Sequence, residues 1–153
     1  MPAGSEAAPA PGLPRSYRPF GVRLMIIVLG TLLTVVALTI WFAFPAAVRA
    51  QFTAFQLGTV IVLGLGFYAC GYALARSRVV AREDGLTLVN GYRSRRVTWN
   101  EVIAVSLRPG SPWAIVDLSD GTSVAAMGIQ ASDGPRAQQH VREVRALVKA
   151  HTH

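Results

Sequence analysis

Read as apolar against polar positions, the chain changes character several times. Residues 1 to 20 are rich in Pro, Ala, Gly and Ser, and no apolar face recurs at strand or helix spacing. They are expected to form a disordered cytoplasmic tail. Leu24 to Phe44 then runs for 21 residues without a charge, and Phe52 to Ala75 for 24. At ~1.5 Å of rise per residue the first run reaches ~31 Å, which matches a hydrocarbon core of ~30 Å. A charge at the centre of such a run would cost ~2.5–3.5 kcal/mol, and neither run holds one. The pattern predicts transmembrane helices over 22–44 and 52–75, joined by a short extracytoplasmic loop at 45–51, so the two should form an antiparallel hairpin. A secretory signal is the competing reading of the first run, but its apolar region would span only ~7–15 residues and no second span would follow.

After Arg76 the period drops to two. Val79–Glu83, Leu86–Asn90, Tyr92–Thr98, Val102–Arg108, Trp113–Ser119 and Thr122–Met127 read as six short strands. Asp84-Gly85, Asn90-Gly91, Pro109 to Pro112 and Asp120-Gly121 supply the turns between them. The spacing predicts a meandering antiparallel sheet or small barrel. From Ser132 the period changes again. Ser132-Asp133-Gly134-Pro135 is a helix-start signal, with a capping side chain and an early proline. Ala137, Val141, Val144, Val148 and His151 then recur at helical spacing, with Leu147 beside them. That stripe needs a surface to bury it, and the open end of a small barrel offers one. The expected fold class is therefore an α+β membrane protein: a two-helix transmembrane hairpin, then a small antiparallel β-barrel or sheet over 76–153 with a C-terminal capping helix. Residues 76–153 are expected to fold as a unit of their own.

Composition sharpens this picture. Hydrophobic residues make up 52% of the chain, as expected where part of it lives in lipid. The net charge of +7 comes from fourteen arginines and a single lysine, a bias that fits codon usage in a GC-rich genome. Arg15, Arg18 and Arg23 precede the first apolar run, Arg76, Arg78 and Arg82 follow the second, and only Arg49 lies between them. The positive-inside rule then predicts a multi-pass protein of the cell membrane with both termini cytoplasmic. Cys70 is the sole cysteine, which excludes an internal disulfide and a multi-cysteine zinc site. A basic chain suits either nucleic acid or an anionic membrane surface. Residues 76–153 hold eleven basic and seven acidic residues, net +4, without basic–aromatic stripes, so nucleic acid is not an expected partner.

Gly85-Leu86-Thr87-Leu88, Arg95-Arg96-Val97-Thr98-Trp99-Asn100-Glu101-Val102, Pro112-Trp113, Leu118-Ser119-Asp120-Gly121 and the closing helix, taken together, resemble the membrane-anchored bacterial pleckstrin-homology (PH) domain proteins of actinobacteria, some of them known as low-molecular-weight protein antigens. The resemblance covers about residues 79 to 150 and implies a PH-like fold. Two departures stand out. A PH fold has seven strands where six are read here. PH domains that bind phosphoinositides also typically carry a longer, basic loop between their first two strands, whereas Glu83-Asp84-Gly85 is short and acidic. The resemblance thus implies the fold more strongly than lipid recognition.

Candidate chemistry is sparse. Arg93, Arg95 and Arg96 lie within one strand and form a candidate electrostatic surface. The pleat puts Arg93 and Arg95 on one face and Arg96 on the other, which suits a charged, aggregation-resistant edge better than a convergent phosphate site. Trp99 is expected in the core, with Trp113 less determined by its Gly-Ser-Pro loop. His140 lies beside the helix stripe. His151 and His153 are expected to fray, since a metal site needs three or four ligands. Cys70 reads as a small packing residue in the second span, and Gly66 with Cys70 forms a small-xxx-small pair that permits close helix approach within the hairpin or between copies. No nucleophile elbow, phosphate-cradling loop, zincin motif or paired-cysteine motif occurs, so no catalytic residue, metal or cofactor is expected. A transporter subunit is disfavoured, because ion pathways usually need an ionisable residue inside the spans. The expected function is a membrane-anchored module that presents a protein-interaction or scaffolding surface at the inner face of the membrane. The alternative is an anionic-lipid or ligand sensor docking on the membrane surface. Expected partners are the lipid bilayer and a membrane or cytosolic protein, with self-association through the second span as a further route.

Overall fold

The computed structural model describes residues 11–152. The element order is β1 (Arg15–Tyr17), α1 (Phe20–Ala43), α2 (Ala46–Arg49), α3 (Ala54–Arg76), β2 (Arg78–Arg82), β3 (Gly85–Asn90), β4 (Arg93–Thr98), β5 (Val102–Ser106), β6 (Trp113–Leu118), β7 (Ser123–Gln130) and α4 (Pro135–His151). One-turn 3-10 segments at Trp99–Glu101 and Ala131–Asp133 precede β5 and α4. Residues 1–10 of the expected tail lie outside the described residues, as does His153.

Two helices, α1 and α3, are long and apolar enough to cross a membrane. Both are apolar all round, and almost none of either is buried within the chain. They contact each other where glycine permits. A Cβ on Gly30 would sit 3.1 Å from Tyr68 Cε1, and one on Gly71 would sit 3.0 Å from Ile26 Cγ2. The Tyr68 hydroxyl donates to the Gly30 carbonyl at 2.7 Å and also meets the Thr34 hydroxyl, so its polar end is satisfied between the helices. Gly66 has nothing within reach of an added Cβ, and Cys70 is exposed. The packing role expected of Cys70 is therefore not met inside the hairpin. Gly30 and Gly71 make the close approach instead.

The strands form two antiparallel sheets, ordered β1-β2-β3-β4 and β5-β6-β7. No ladder joins them among the described residues, so the module is not a closed barrel and the barrel expectation is corrected. The break lies at Thr98, whose N–H is diverted from a ladder to the Glu101 carboxylate at 2.7 Å, with the Thr98 hydroxyl bonded to the same oxygen. This capping box starts the 3-10 turn that carries the chain to the second sheet. β7 crosses over β2 and β3 so closely that a Cβ on Gly128 would lie 2.5 Å from the Arg78 backbone. Asn90 bridges the sheets: its amide donates to the Ala125 carbonyl and accepts from Met127 N–H. Leu86, Leu88, Val97, Val116, Leu118 and Ile129 fill the space between the sheets, and Val141, Val144 and Leu147 of α4 close it.

The seventh strand is the main departure from the sequence reading. Arg15, Ser16 and Tyr17 pair with Ala81, Val80 and Val79. Tyr17 is 1% exposed and belongs to the core. The strand comes from the segment expected to be a tail, and its partner lies beyond both long helices. The hairpin is therefore inserted into the module, between its first and second strands, and does not precede it. The Glu83-Asp84-Gly85 turn joins the second strand to the third, so its acidity says nothing of the first connection.

Candidate binding surfaces

β4 is an edge strand, and Arg93, Arg95 and Arg96 are all exposed. Its register places Arg95 opposite Leu88 and Arg96 opposite Thr87. Leu88 is core and Thr87 is not, so neighbouring arginines leave the sheet on opposite sides. Arg95 overhangs the core margin and meets Asp120 Oδ2 at 3.6 Å, in the turn between β6 and β7. Hydrogen bonds from the Thr122 hydroxyl and N–H hold the Asp120 carboxyl below its ordinary pKa, so it stays ionised opposite Arg95. The three arginines do not converge on one point.

A groove of about 670 Å³ runs between β5 and α4. β5 is the outer strand of its sheet, and Ile103 projects from it 66% exposed, beside a register shift between Val102 and Ala104. Arg145 Nε donates to the Val105 carbonyl at 2.6 Å, and Lys149 lines the same groove. This end of α4 also holds His151, stacked on Trp99 with ring centroids 4.9 Å apart. The ring nitrogen Nδ1 of His151 lies 2.9 Å from the Leu147 carbonyl. His151 is thus an ordered part of the core rim, contrary to the fraying expected of it. Trp99 is buried as expected, with its indole N–H shared between the Arg82 and Glu83 carbonyls. Trp113 is half-buried.

The hairpin is fastened to the module at both ends. α1 begins at Pro19, with no side-chain cap of its own and no acid in its first turn. Asp133 supplies the cap from across the molecule, accepting from Phe20 N–H at 3.0 Å and from Gly21 N–H at 2.8 Å. The Ser132-Asp133-Gly134-Pro135 signal implied a capping side chain for α4, but the N-cap of α4 is Gly134 and no side chain caps it. The Arg136 guanidinium lies over the Phe20 ring at 4.8 Å. At the other end, Gly91 N–H donates to the Ser77 hydroxyl at 3.0 Å and the Tyr92 hydroxyl donates to the Ala69 carbonyl at 2.7 Å. Arg76 stands over both Tyr72 and Tyr92.

The β1 edge is fastened to α4. Arg15 Nε lies 3.1 Å from Glu143 Oε2, and the Tyr17 ring packs against His140 at 5.0 Å. Burial, with the Glu143 charge beside it, pushes the Tyr17 phenol well above its ordinary pKa. Burial likewise lowers His140, against the opposing pull of Glu143 and Asp133. Asp133, Arg136 and His140 were not singled out as a site, because nothing local shows that they meet the chain before the first apolar helix.

Residues 76–147 match the family described as bacterial PH domain. The matched stretch contains β2 to β7 and most of α4, while β1 lies outside it. The chain is 39% identical over 97 residues to the uncharacterized protein Mb1452 of Mycobacterium bovis and, equally, to the uncharacterized protein Rv1417 of Mycobacterium tuberculosis. The matched stretch covers 61% of this chain and 63% of each relative's length. No solved structure gives a significant match.

Proposed function

We propose that this protein is a non-enzymatic, membrane-anchored PH-like module that presents an interaction surface at the inner face of the cell membrane. The observation that carries the reading is the insertion of the apolar hairpin between β1 and β2. Pairing of β1 with β2 brings the outer ends of both long helices to the module, so a bilayer around the hairpin would hold the module at one surface. The arginines on each side of the hairpin, against Arg49 alone in its connection, favour the cytoplasmic surface. The PH-like character of the module is supported by the family match over residues 76–147. The surface offered to a protein partner in this reading is the β5–α4 groove, with the exposed Ile103 at its edge. It lies at the end of α4 opposite the one that touches α1, so a membrane around the hairpin would leave it uncovered. The β4 arginines serve in this reading as a charged edge that discourages strand addition.

Two measurements test the proposal. A reporter fused to the C-terminus should be active only in a form that requires the cytoplasm, and activity outside the cell would overturn the orientation. A photo-crosslinker placed at Ile103 in native membranes should capture one discrete partner that a crosslinker at Arg96 does not. Identical capture from both positions would remove the groove from the reading.

A further inference from the structure

A cavity of about 460 Å³ opens where α1 leaves the module, beside the first turn of α4. Its lining divides by chemistry. Arg18, Arg23 and Arg136 form one end, and Phe20, Leu24 and Ile27 form the other. The division follows from helical spacing: Phe20, Arg23, Leu24 and Ile27 stand three or four residues apart and share one face of α1. Arg18 comes from the link between β1 and α1, and Arg136 from α4. The apolar end is the outward surface of α1, where Phe20, Leu24 and Ile27 are 58%, 50% and 64% exposed.

No acidic side chain lines the cavity. Asp133, the nearest carboxylate along α4's start, is occupied by the Phe20 and Gly21 N–H groups, and Glu143 by Arg15. None of the three arginines is in an ion pair among the described residues. His140 adds a further polar group to the lining, and its Nδ1 is buried without a hydrogen-bond partner. Three guanidiniums without an ion-pair partner among the described residues, above an apolar wall, complement an anion that carries a hydrocarbon chain. Guanidinium groups bind phosphate oxygens in bidentate fashion, and the wall offers Leu24 and Ile27 to an acyl chain.

We infer that this cavity is a phosphate-selective site for one anionic phospholipid, with the phosphate among Arg18, Arg23 and Arg136 and an acyl chain along α1. The inference rests on the proposed reading that α1 crosses the bilayer. It differs from docking through the β4 arginines, because it names a built cavity and a lipid that stays with the hairpin.

The test uses the full-length protein reconstituted in phosphatidylcholine vesicles containing spin-labelled phosphatidylglycerol or spin-labelled phosphatidylcholine. The protein-restricted component of the spectrum reports relative association. The wild type should select phosphatidylglycerol severalfold. R18Q, R23Q and R136Q should each lower that ratio about two- to fivefold, and the triple variant should bring it near one. R93Q/R95Q/R96Q removes the same charge from β4 and should leave the ratio unchanged. An equal loss in that variant would mean a diffuse field and overturn the site, as would an unselective wild type or a triple variant that still selects. Soluble glycerol phosphate should fail to compete. Full competition would assign the cavity to a free phosphate ester and overturn the lipid. Carbonate extraction of the same samples separates the two failures, because an extractable protein refutes the spanning helix itself, whereas a retained but unselective one refutes the site alone. Circular dichroism of each variant confirms that the fold is retained.

Discussion

Val62 in α3 is 66% exposed and Val116 in β6 is 1% exposed; Leu33 in α1 is 47% exposed and Leu88 in β3 is 1%. The same residue types face outward along the hairpin and inward in the module. In the hairpin no face is distinguished, because apolar residues are exposed all the way round both long helices. Contacts between its helices are few and depend on single glycines and on one satisfied tyrosine. In the module, alternation chooses one face, and the core is shared by both sheets and α4. The hairpin's stability is therefore set mainly by what surrounds it. The module's stability is set by its own packing, including a strand that lies on the far side of the hairpin in sequence.

The sharpest way to break this contrast is to remove that strand. A chain of residues 76–152 lacks Tyr17, one of the largest fully buried side chains. It should show no cooperative thermal transition by circular dichroism, whereas residues 11–17 joined to 77–152 through a Gly/Ser linker should restore one. In the full chain, Tyr17→Ala should cost about 3–5 kcal/mol. Equal stability with and without β1 would mean that the module is self-sufficient after all.

The next effect concerns the crossing of the sheets. Gly128→Ala places a methyl against the Arg78 and Val79 backbone, which has no flexible end to yield. Destabilisation of about 1–3 kcal/mol is expected in a denaturant titration, with no change in the hairpin helices. Asp133→Ala should be milder, about 1–2 kcal/mol for a lost cap. Its signature is local: amide exchange at Phe20 and Gly21 should accelerate while α4 stays protected. If α4 frayed instead, Asp133 would be serving α4 and not α1.

The smallest effect is a pH dependence. Burial holds His140 below its ordinary pKa of 6.5, so the unfolded chain takes up its proton at higher pH than the folded one. Stability is then fully present above pH 6.5, falls as pH drops through 6.5, and levels off once the folded state is protonated as well. Thermal melts on either side of that pH should show the decline in the wild type. His140→Phe should flatten it within this window and leave any carboxylate-driven loss at lower pH intact.

What could be read in advance divides along the same line. The two apolar runs and the alternation of β2 to β7 are local patterns, and each appears within a few residues of its expected place. The amphipathic stripe of α4 is local too, and Ala137, Val141, Val144 and Leu147 are buried. β1 was not legible. Arg15-Ser16-Tyr17 is too short to show a period, and what makes it a strand is Val79 to Ala81, beyond both helices. The role of Asp133 was hidden for the same reason: a capping residue before a proline-started helix reads as local, while its N–H donors belong to α1. For the arginines of β4, the pleat alone separates Arg95 from Arg96. The meeting of Arg18 and Arg23 with Arg136 needed the tertiary fold, though the spacing of Phe20, Arg23, Leu24 and Ile27 was a visible hint.

The position of β1 also bears on how the chain is made. β1 leaves the ribosome before the hairpin, and its partner β2 leaves after it. During that interval Tyr17 has no strand to join, and the first sheet cannot be completed. In a bilayer, a second span that failed to return would strand β1 and β2 on opposite sides, and the module could not close around its core. Completion of the sheet would then act as a coincidence test for correct insertion. Misinserted copies would display an unfinished sheet and an unburied α4 stripe, the kind of exposed surface that quality-control proteases recognise. In a bilayer, a single three-residue strand would in this way couple the topology of the hairpin to completion of the module.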